Sequence, residues 1–334
     1  MNGFPVMRLE LTKKAAFMAK ANGKSGLRLL STLLVGAGAL YIHRIFRTEK
    51  HQRLAWLRSK SQVITTKHGT VEYSVIGQGQ PLLYFHGGMG GYEQGLALAE
   101  MLPLDDFQLI TFSRPGYRRT DIANGGTLPE QADVACELLD HLGIRTATIL
   151  GLSAGCMSAL QFAQNHPKRC EQLILLMAQG PELAKSQPSP FWLWLMDLMM
   201  ASDFFVWLLM EGSLNVLTRL LRVQGSGNTM RNVKEFFAGV FPASDWRLGT
   251  ANDVEQLLNQ RTINLQTIAA PTLVLHGTQD VIVPPIVAKD NAAKIRNSQL
   301  IMVNGGSHMM IATHADTIRQ SIRQFVMPHQ VNNR

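Results

Sequence analysis

Residues 146–155 read Thr-Ala-Thr-Ile-Leu-Gly-Leu-Ser-Ala-Gly, an apolar run that closes on Gly151-Leu152-Ser153-Ala154-Gly155. The run from Thr146 to Leu150 predicts a strand covered on both faces, and Ala154 to Asn165 predicts the helix after it. A serine is thus set in a tight turn with a glycine two residues to either side, G-x-S-x-G in a strand–turn–helix setting. Glycine at both places lets strand and helix approach where a Cβ would collide. Ser153 is pushed into the open at a helix N-terminus, and the Ala154 N–H faces any negative charge that develops beside it. The pattern predicts a nucleophilic serine; the plainer alternative is a serine that caps a helix.

Outward from this turn, strand-like and helical stretches alternate. Gly69 to Ile76 has a period of two and ends at the turn Gly77-Gln78-Gly79. Pro81 to Phe85, Phe107 to Phe112, Gln172 to Met177 and Thr272 to His276 are apolar runs of the buried-strand kind. Glu130 to Leu142 and Pro285 to Ile295 predict helices. The alternation predicts an α/β fold, a mostly parallel sheet with helices on both faces. It breaks between about Pro181 and Leu265. There Pro181, Pro188 and Pro190 precede an apolar stretch from Phe191 to Met210, interrupted by Asp197, Ser202 and Asp203. Those polar residues argue against a membrane span, so the insert predicts helices laid over the strand ends. The expected organisation is a segment at 1–59, a core at 60–180 and 266–328, and a helical cap at 181–265.

A serine hydroxyl needs a neighbouring base to attack near neutral pH. Of ten histidines, His308 stands in Gly305-Gly306-Ser307-His308, after the apolar run Leu300 to Val303 and before a helical stretch. His86 and His276 each end a predicted strand and are the alternatives, with a structural role expected for both. Asp280, in His276-Gly277-Thr278-Gln279-Asp280, follows a buried strand, and its carboxylate suits the far nitrogen of the imidazole. His86-Gly87-Gly88-Met89-Gly90-Gly91 follows the strand ending at Phe85, and its glycines let a backbone N–H swing toward the nucleophile.

With the order Ser153, Asp280, His308 in place, the region from roughly Lys60 to Met327 resembles the α/β-hydrolase family. The resemblance implies an α/β-hydrolase fold, a helical cap in the insert, and Gly88 rather than Gly87 as the second oxyanion donor beside Ala154. Arg114-Pro115-Gly116-Tyr117 is similar to the family's segment after the fourth strand. It departs at Arg118, Arg119 and Thr120, where glycine then serine is common. Those arginines are expected on the solvated surface, with an anionic substrate or lipid head group as the alternative.

The 334 residues are 46% apolar and 17% charged, enough to bury a sizeable core. The net charge is +8, but residues 1–60 alone carry +10, so the remainder is slightly acidic. The basic residues bracket the uncharged run Leu29 to Ile42, which favours anionic lipid over nucleic acid as the partner. A helix from Leu27 to Phe46 would reach about 30 Å, the thickness of a bilayer core, if Arg28 and Arg44 extend to the interfaces. A membrane anchor or surface helix is the leading expectation. A cleaved signal at Ala37-Gly38-Ala39 and a helix packed on the body are the others. Cys136, Cys156 and Cys170 form neither a disulfide framework nor a metal pattern, and no cofactor is expected.

Serine at position 153 disfavours the family branches with an aspartate nucleophile, the haloalkane dehalogenases and epoxide hydrolases. His86-Gly87-Gly88-Met89-Gly90 is similar to the loop of proline iminopeptidases, but Leu152 and Ala154 depart from that group's elbow. Such an enzyme also needs cap carboxylates for a free ammonium, with Glu182, Asp197, Glu211, Glu235 and Asp245 as candidates. The aromatic insert (Phe191, Trp192, Trp194, Phe204, Phe205, Trp207) argues instead for an apolar ester, though these residues would equally pack a cap on its core. Hydrolysis of an apolar or lipid-like carboxylic ester through an acyl-enzyme is therefore expected. The alternatives are an iminopeptidase-type aminopeptidase and a catalytically silent hydrolase-fold binding protein.

Overall fold

The computed structural model describes residues 23–185, 190–210, 236, 238–259 and 263–327. The basic Arg8, Lys13, Lys14 and Lys20, the candidate carboxylates Glu211 and Glu235, and the side chains of Phe191 and Trp192 lie outside them. The chain divides into two compact units, Met1–Arg53 and Leu54–Arg334. Helix α1 (Gly23–Ser59) presents Leu27, Leu33, Leu34, Val35, Leu40 and Tyr41 of the first unit to the outside. The stretch Leu27–Ser59 is long and apolar enough to cross a membrane, and its apolar window is not buried.

The second unit is built on an eight-stranded sheet of order β1-β2-β4-β3-β5-β6-β7-β8. The strands are β1 (Gln62–Thr66), β2 (Gly69–Ile76), β3 (Gln80–Phe85), β4 (Phe107–Phe112), β5 (Ala147–Leu152), β6 (Cys170–Leu176), β7 (Thr272–Gly277) and β8 (Ser298–Val303). Strand β2 runs antiparallel to β1 and β4, and every pairing from β4 to β8 is parallel. Every residue of β5 is buried, as a central parallel strand with both faces covered must be. Its elbow strand begins and ends later than the apolar run suggested, because the pairing with β3 and β6 carries Gly151 and Leu152 into the sheet.

Helices α2 (Glu93–Met101), α3 (Leu128–His141), α4 (Gly155–Asn165), α7 (Pro285–Lys294) and α8 (Ala315–Val326) belong to the same unit. Thr127 and Glu130 close a reciprocal cap that starts α3 two residues before the expected Glu130. The main core joins Leu83, Phe85, Ile149, Leu173 and Val274 of the sheet to Ala135, Leu138, Leu160 and Phe162 of α3 and α4. Strand β1 and helix α2 were not anticipated. The first is short and mostly exposed, and the second follows directly on the glycine run.

The insert between β6 and β7 contains α5 (Pro190–Ala201), helical residues 203–210 and α6 (Arg247–Leu258). The apolar stretch breaks at Ser202. Leu195, Met199, Val206 and Trp207 are buried, whereas Trp194 and Phe204 are exposed. Two of the aromatic residues proposed to line an apolar pocket therefore face outward in part.

Candidate active site

The chemistry-bearing residues gather beyond the C-terminal ends of the parallel strands, where open α/β sheets bind ligands. Ser153 follows β5 with φ 49°, the left-handed value a nucleophile elbow imposes on a residue with a side chain. The flanking glycines explain why the turn closes. A Cβ on Gly155 would run into the carbonyl oxygens of Phe85 and His86, and one on Gly151 would lie 2.8 Å from the Cα of Cys156. The turn is tied to the sheet by the Ser153 N–H, which donates to the Leu176 carbonyl at 2.9 Å.

The loops after β7 and β8 bring Asp280 and His308 to this serine. Ser153 Oγ lies 3.0 Å from His308 Nε2, and His308 Nδ1 lies 2.7 Å from Asp280 Oδ2. A carboxylate beside Nδ1 keeps the proton there and leaves Nε2 as the acceptor for the serine hydroxyl. Asp280 Oδ1 accepts the backbone N–H groups of Ile282 and Val283, each at 2.9 Å. Burial pulls this carboxyl's pKa up, but His308 and the Val283 N–H outweigh it and hold it below the ordinary carboxylate value, so the acid is ionised.

The two alternative histidines are held in structural roles. His86 is fully buried; its Nδ1 donates to the Gly87 carbonyl at 2.6 Å and its Nε2 accepts the Arg114 N–H at 2.9 Å. Burial and then the Arg114 charge push its pKa well below the ordinary value. His276 Nε2 donates to the Val283 carbonyl at 2.9 Å and stands 3.5 Å from Asp280 Oδ2. Burial lowers its pKa too, so both rings stay neutral.

Of the three N–H groups at residues 87–89, that of Gly87 goes to Gln94 Oε1 at 2.9 Å and that of Met89 to Thr250 Oγ1 at 3.2 Å. The Gly88 and Ala154 N–H groups have no acceptor among the described residues.

Arg118 is not on the solvated surface. Its side chain is buried, with Nη2 2.6 Å from Glu93 Oε1, a further bond to the Gly239 carbonyl, and Nη1 3.8 Å from Asp245. Its φ of 53° turns the chain so that its N–H reaches the Asp245 carbonyl. Arg119 is half-buried and binds Glu72 Oε1 at 2.7 Å. Burying an arginine requires a partner, and the partners are Glu93 and Glu72, neither of which the sequence reading had singled out. Among the candidate carboxylates for an amine, Glu182 lies 3.9 Å from Lys294 Nζ and Asp245 faces Arg118, while Asp197 is exposed.

A parallel sheet with a strained serine at the β5 turn and an imidazole and carboxylate behind it defines the hydrolase class to which this fold points. Residues 80–315 match the α/β hydrolase fold family, and the chain belongs to it. It is 27% identical over 266 residues to the uncharacterized hydrolase YcgS of Bacillus subtilis (strain 168), covering 76% of this chain and 93% of that one. It is 28% identical over 255 residues to the poly(3-hydroxyalkanoate) depolymerase of Ectopseudomonas oleovorans, covering 74% and 84%. Among solved structures it is similar to an alpha/beta hydrolase fold protein from Nakamurella multipartita, with TM-score 0.62 and 28% identity over 79% of this chain and 98% of that one.

Proposed function

We propose that this hydrolase is a serine esterase acting on a carboxylic ester of an apolar or lipid-like substrate. The observation that carries the reading is the relay from Asp280 through His308 to Ser153, at 2.7 and 3.0 Å. In it, Ser153 Oγ attacks the ester carbonyl while His308 Nε2 takes the hydroxyl proton. The oxyanion accepts hydrogen bonds from the Gly88 and Ala154 N–H groups. Collapse breaks the ester C–O bond, His308 returns its proton to the leaving alcohol, and Ser153 keeps the acyl group. Water, deprotonated by His308, then releases the acid and restores the serine.

Support for an apolar acyl group comes from the apolar insert and from the relative named a poly(3-hydroxyalkanoate) depolymerase. An amine-binding reading has less support, since Glu182 and Asp245 already face cations. We further propose that α1 holds the enzyme at a membrane, on the strength of its unburied apolar length and its flanking basic residues.

Labelling with a fluorophosphonate, which reacts with activated serines, is the direct test. The wild-type protein should be labelled and Ser153→Ala should not; persistent labelling or turnover in that variant would place the nucleophile elsewhere. An acyl-length series then tests the substrate. kcat/KM should rise by up to about fourfold per added CH₂, from about 0.8 kcal/mol per buried methylene, until the pocket is full. Arylamides of proline or alanine cleaved faster than any ester of matched leaving group would defeat the ester reading.

A further inference from the structure

Gly88 has no side chain and open space around it, so nothing of its own fixes where its N–H points. The two peptides flanking its Cα are instead held from outside. The Gly87–Gly88 peptide is held through the Gly87 carbonyl, which accepts from His86 Nδ1 at 2.6 Å and Arg114 Nη2 at 3.5 Å. In a trans peptide the C=O and N–H point opposite ways, so anchoring that carbonyl aims the Gly88 N–H. The Gly88–Met89 peptide is held at both ends, with its carbonyl on Gln94 Nε2 at 3.0 Å and its N–H on Thr250 Oγ1 at 3.2 Å.

Two of these holds lead to one element of the insert. Thr250 and Asp253 stand three residues apart on α6 and so share a face. Asp253 grips Arg114 through both oxygens, Nη1 to Oδ1 at 2.6 Å and Nη2 to Oδ2 at 2.7 Å, and also accepts the Tyr117 hydroxyl at 2.5 Å. Arg114 in turn donates through Nε to the His86 carbonyl at 3.0 Å. The contact has no slack. A Cβ on Gly249 would run into the Tyr117 ring, and the Gly249 N–H donates to the Gly116 carbonyl at 2.9 Å.

We infer that α6 of the insert is part of the oxyanion machinery, with Thr250 and Asp253 as positioning residues that aim the Gly88 N–H at the reacting carbonyl. A shift of α6 would move the Met89 N–H and Arg114 together and turn the Gly88 peptide. The donor is therefore aligned only while the insert is seated. This inference rests on the serine-esterase reading above.

The test uses the full chain, a short-chain p-nitrophenyl ester, and the near-isosteric pair Thr250→Val and Thr250→Ser. Valine keeps the volume and removes the acceptor for the Met89 N–H; serine keeps the acceptor and loses a methyl. Thr250→Val should lower kcat by about 10- to 100-fold, the scale of a displaced oxyanion donor, with KM changed less than about twofold. Thr250→Ser should stay within about threefold of wild type. Asp253→Asn, which weakens the grip on Arg114, should follow Thr250→Val in losing kcat rather than KM. A purely structural role predicts the reverse order, because a lost methyl would harm packing more than an isosteric swap. The inference is overturned if turnover depends on Ser153 yet Thr250→Val keeps wild-type kcat, or if Val and Ser lose equally. Turnover that survives in Ser153→Ala would instead remove the reading beneath it.

Discussion

At the scale of single residues, Asp280 has two separate tasks, one on each oxygen. Oδ1 is committed to the Ile282 and Val283 N–H groups, and Oδ2 to His308 Nδ1. An asparagine in its place would keep its oxygen on the two backbone donors and turn its NH₂ toward the imidazole. His308 would then carry its proton on Nε2, where it could no longer accept from Ser153. Asp280→Asn is therefore expected to lower kcat by about 10⁴-fold with little change in stability, read from steady-state rates and a thermal melt. A loss under about tenfold would point to another acid. The same residue-level reasoning accounts for His86 and His276: each is buried and has a backbone oxygen on one nitrogen.

At the scale of elements, the strand–turn–helix of the elbow works because two backbones touch. Gly155→Ala would drive a methyl group into the Phe85 and His86 carbonyls at the end of β3, a rigid wall rather than a flexible side chain. A loss of about 3 kcal/mol is expected in urea unfolding, since overpacking against backbone relaxes poorly. Gly88→Ala meets nothing within 4 Å and should unfold like wild type, which separates a packing glycine from a loop glycine. The docking of α6 has its own signature. Asp253→Ala would strand the buried Arg114 without its carboxylate, and about 3–5 kcal/mol should be lost. An unfolding midpoint unchanged in that variant would mean that the pair contributes little to holding the insert on the sheet.

For the whole molecule, the division at Arg53 and Leu54 predicts which truncation is tolerated. Leu57 is buried in the second unit and its carbonyl accepts the Tyr92 hydroxyl, while Ser61 and Glu72 bind one another and Arg119. Deleting residues 1–46 leaves all of these in place and should yield a soluble, active hydrolase that no longer sediments with membranes. Continued sedimentation would assign the attachment to another surface. Acid should weaken the fold in two windows. His86 and His276 have folded pKa values below the 6.5 of a free histidine, so the unfolded chain takes up protons that the folded one refuses. Their contribution is complete above about pH 6.5 and is lost as pH falls below it. Asp280, held below the ordinary carboxylate value, adds a second loss as pH falls through its folded value. Thermal melts should move down between pH 7 and 5, and a flat midpoint there would contradict neutral burial of the two rings.

By itself the amino-acid sequence determined the alternating strands and helices, the elbow around Ser153, and the naming of Asp280 and His308. These were legible because each depends on local chemistry: an apolar run that must be covered, glycines where a Cβ cannot fit, and polar residues just past strand ends. Strand β1 and helix α2 were not legible, since a short exposed strand and a helix of nine residues carry little periodicity of their own. Tertiary structure alone decided that the Arg118 side chain is buried on Glu93, that Arg114 pairs with Asp253 across 139 positions of the chain, and that Thr250 holds the Met89 N–H. It also left the Gly88 N–H without an acceptor among the described residues. The physical reason is common to all four. A charge or a backbone donor declares its need for a partner in the sequence, but which distant group meets that need depends on how the loops and the insert pack over the strand ends.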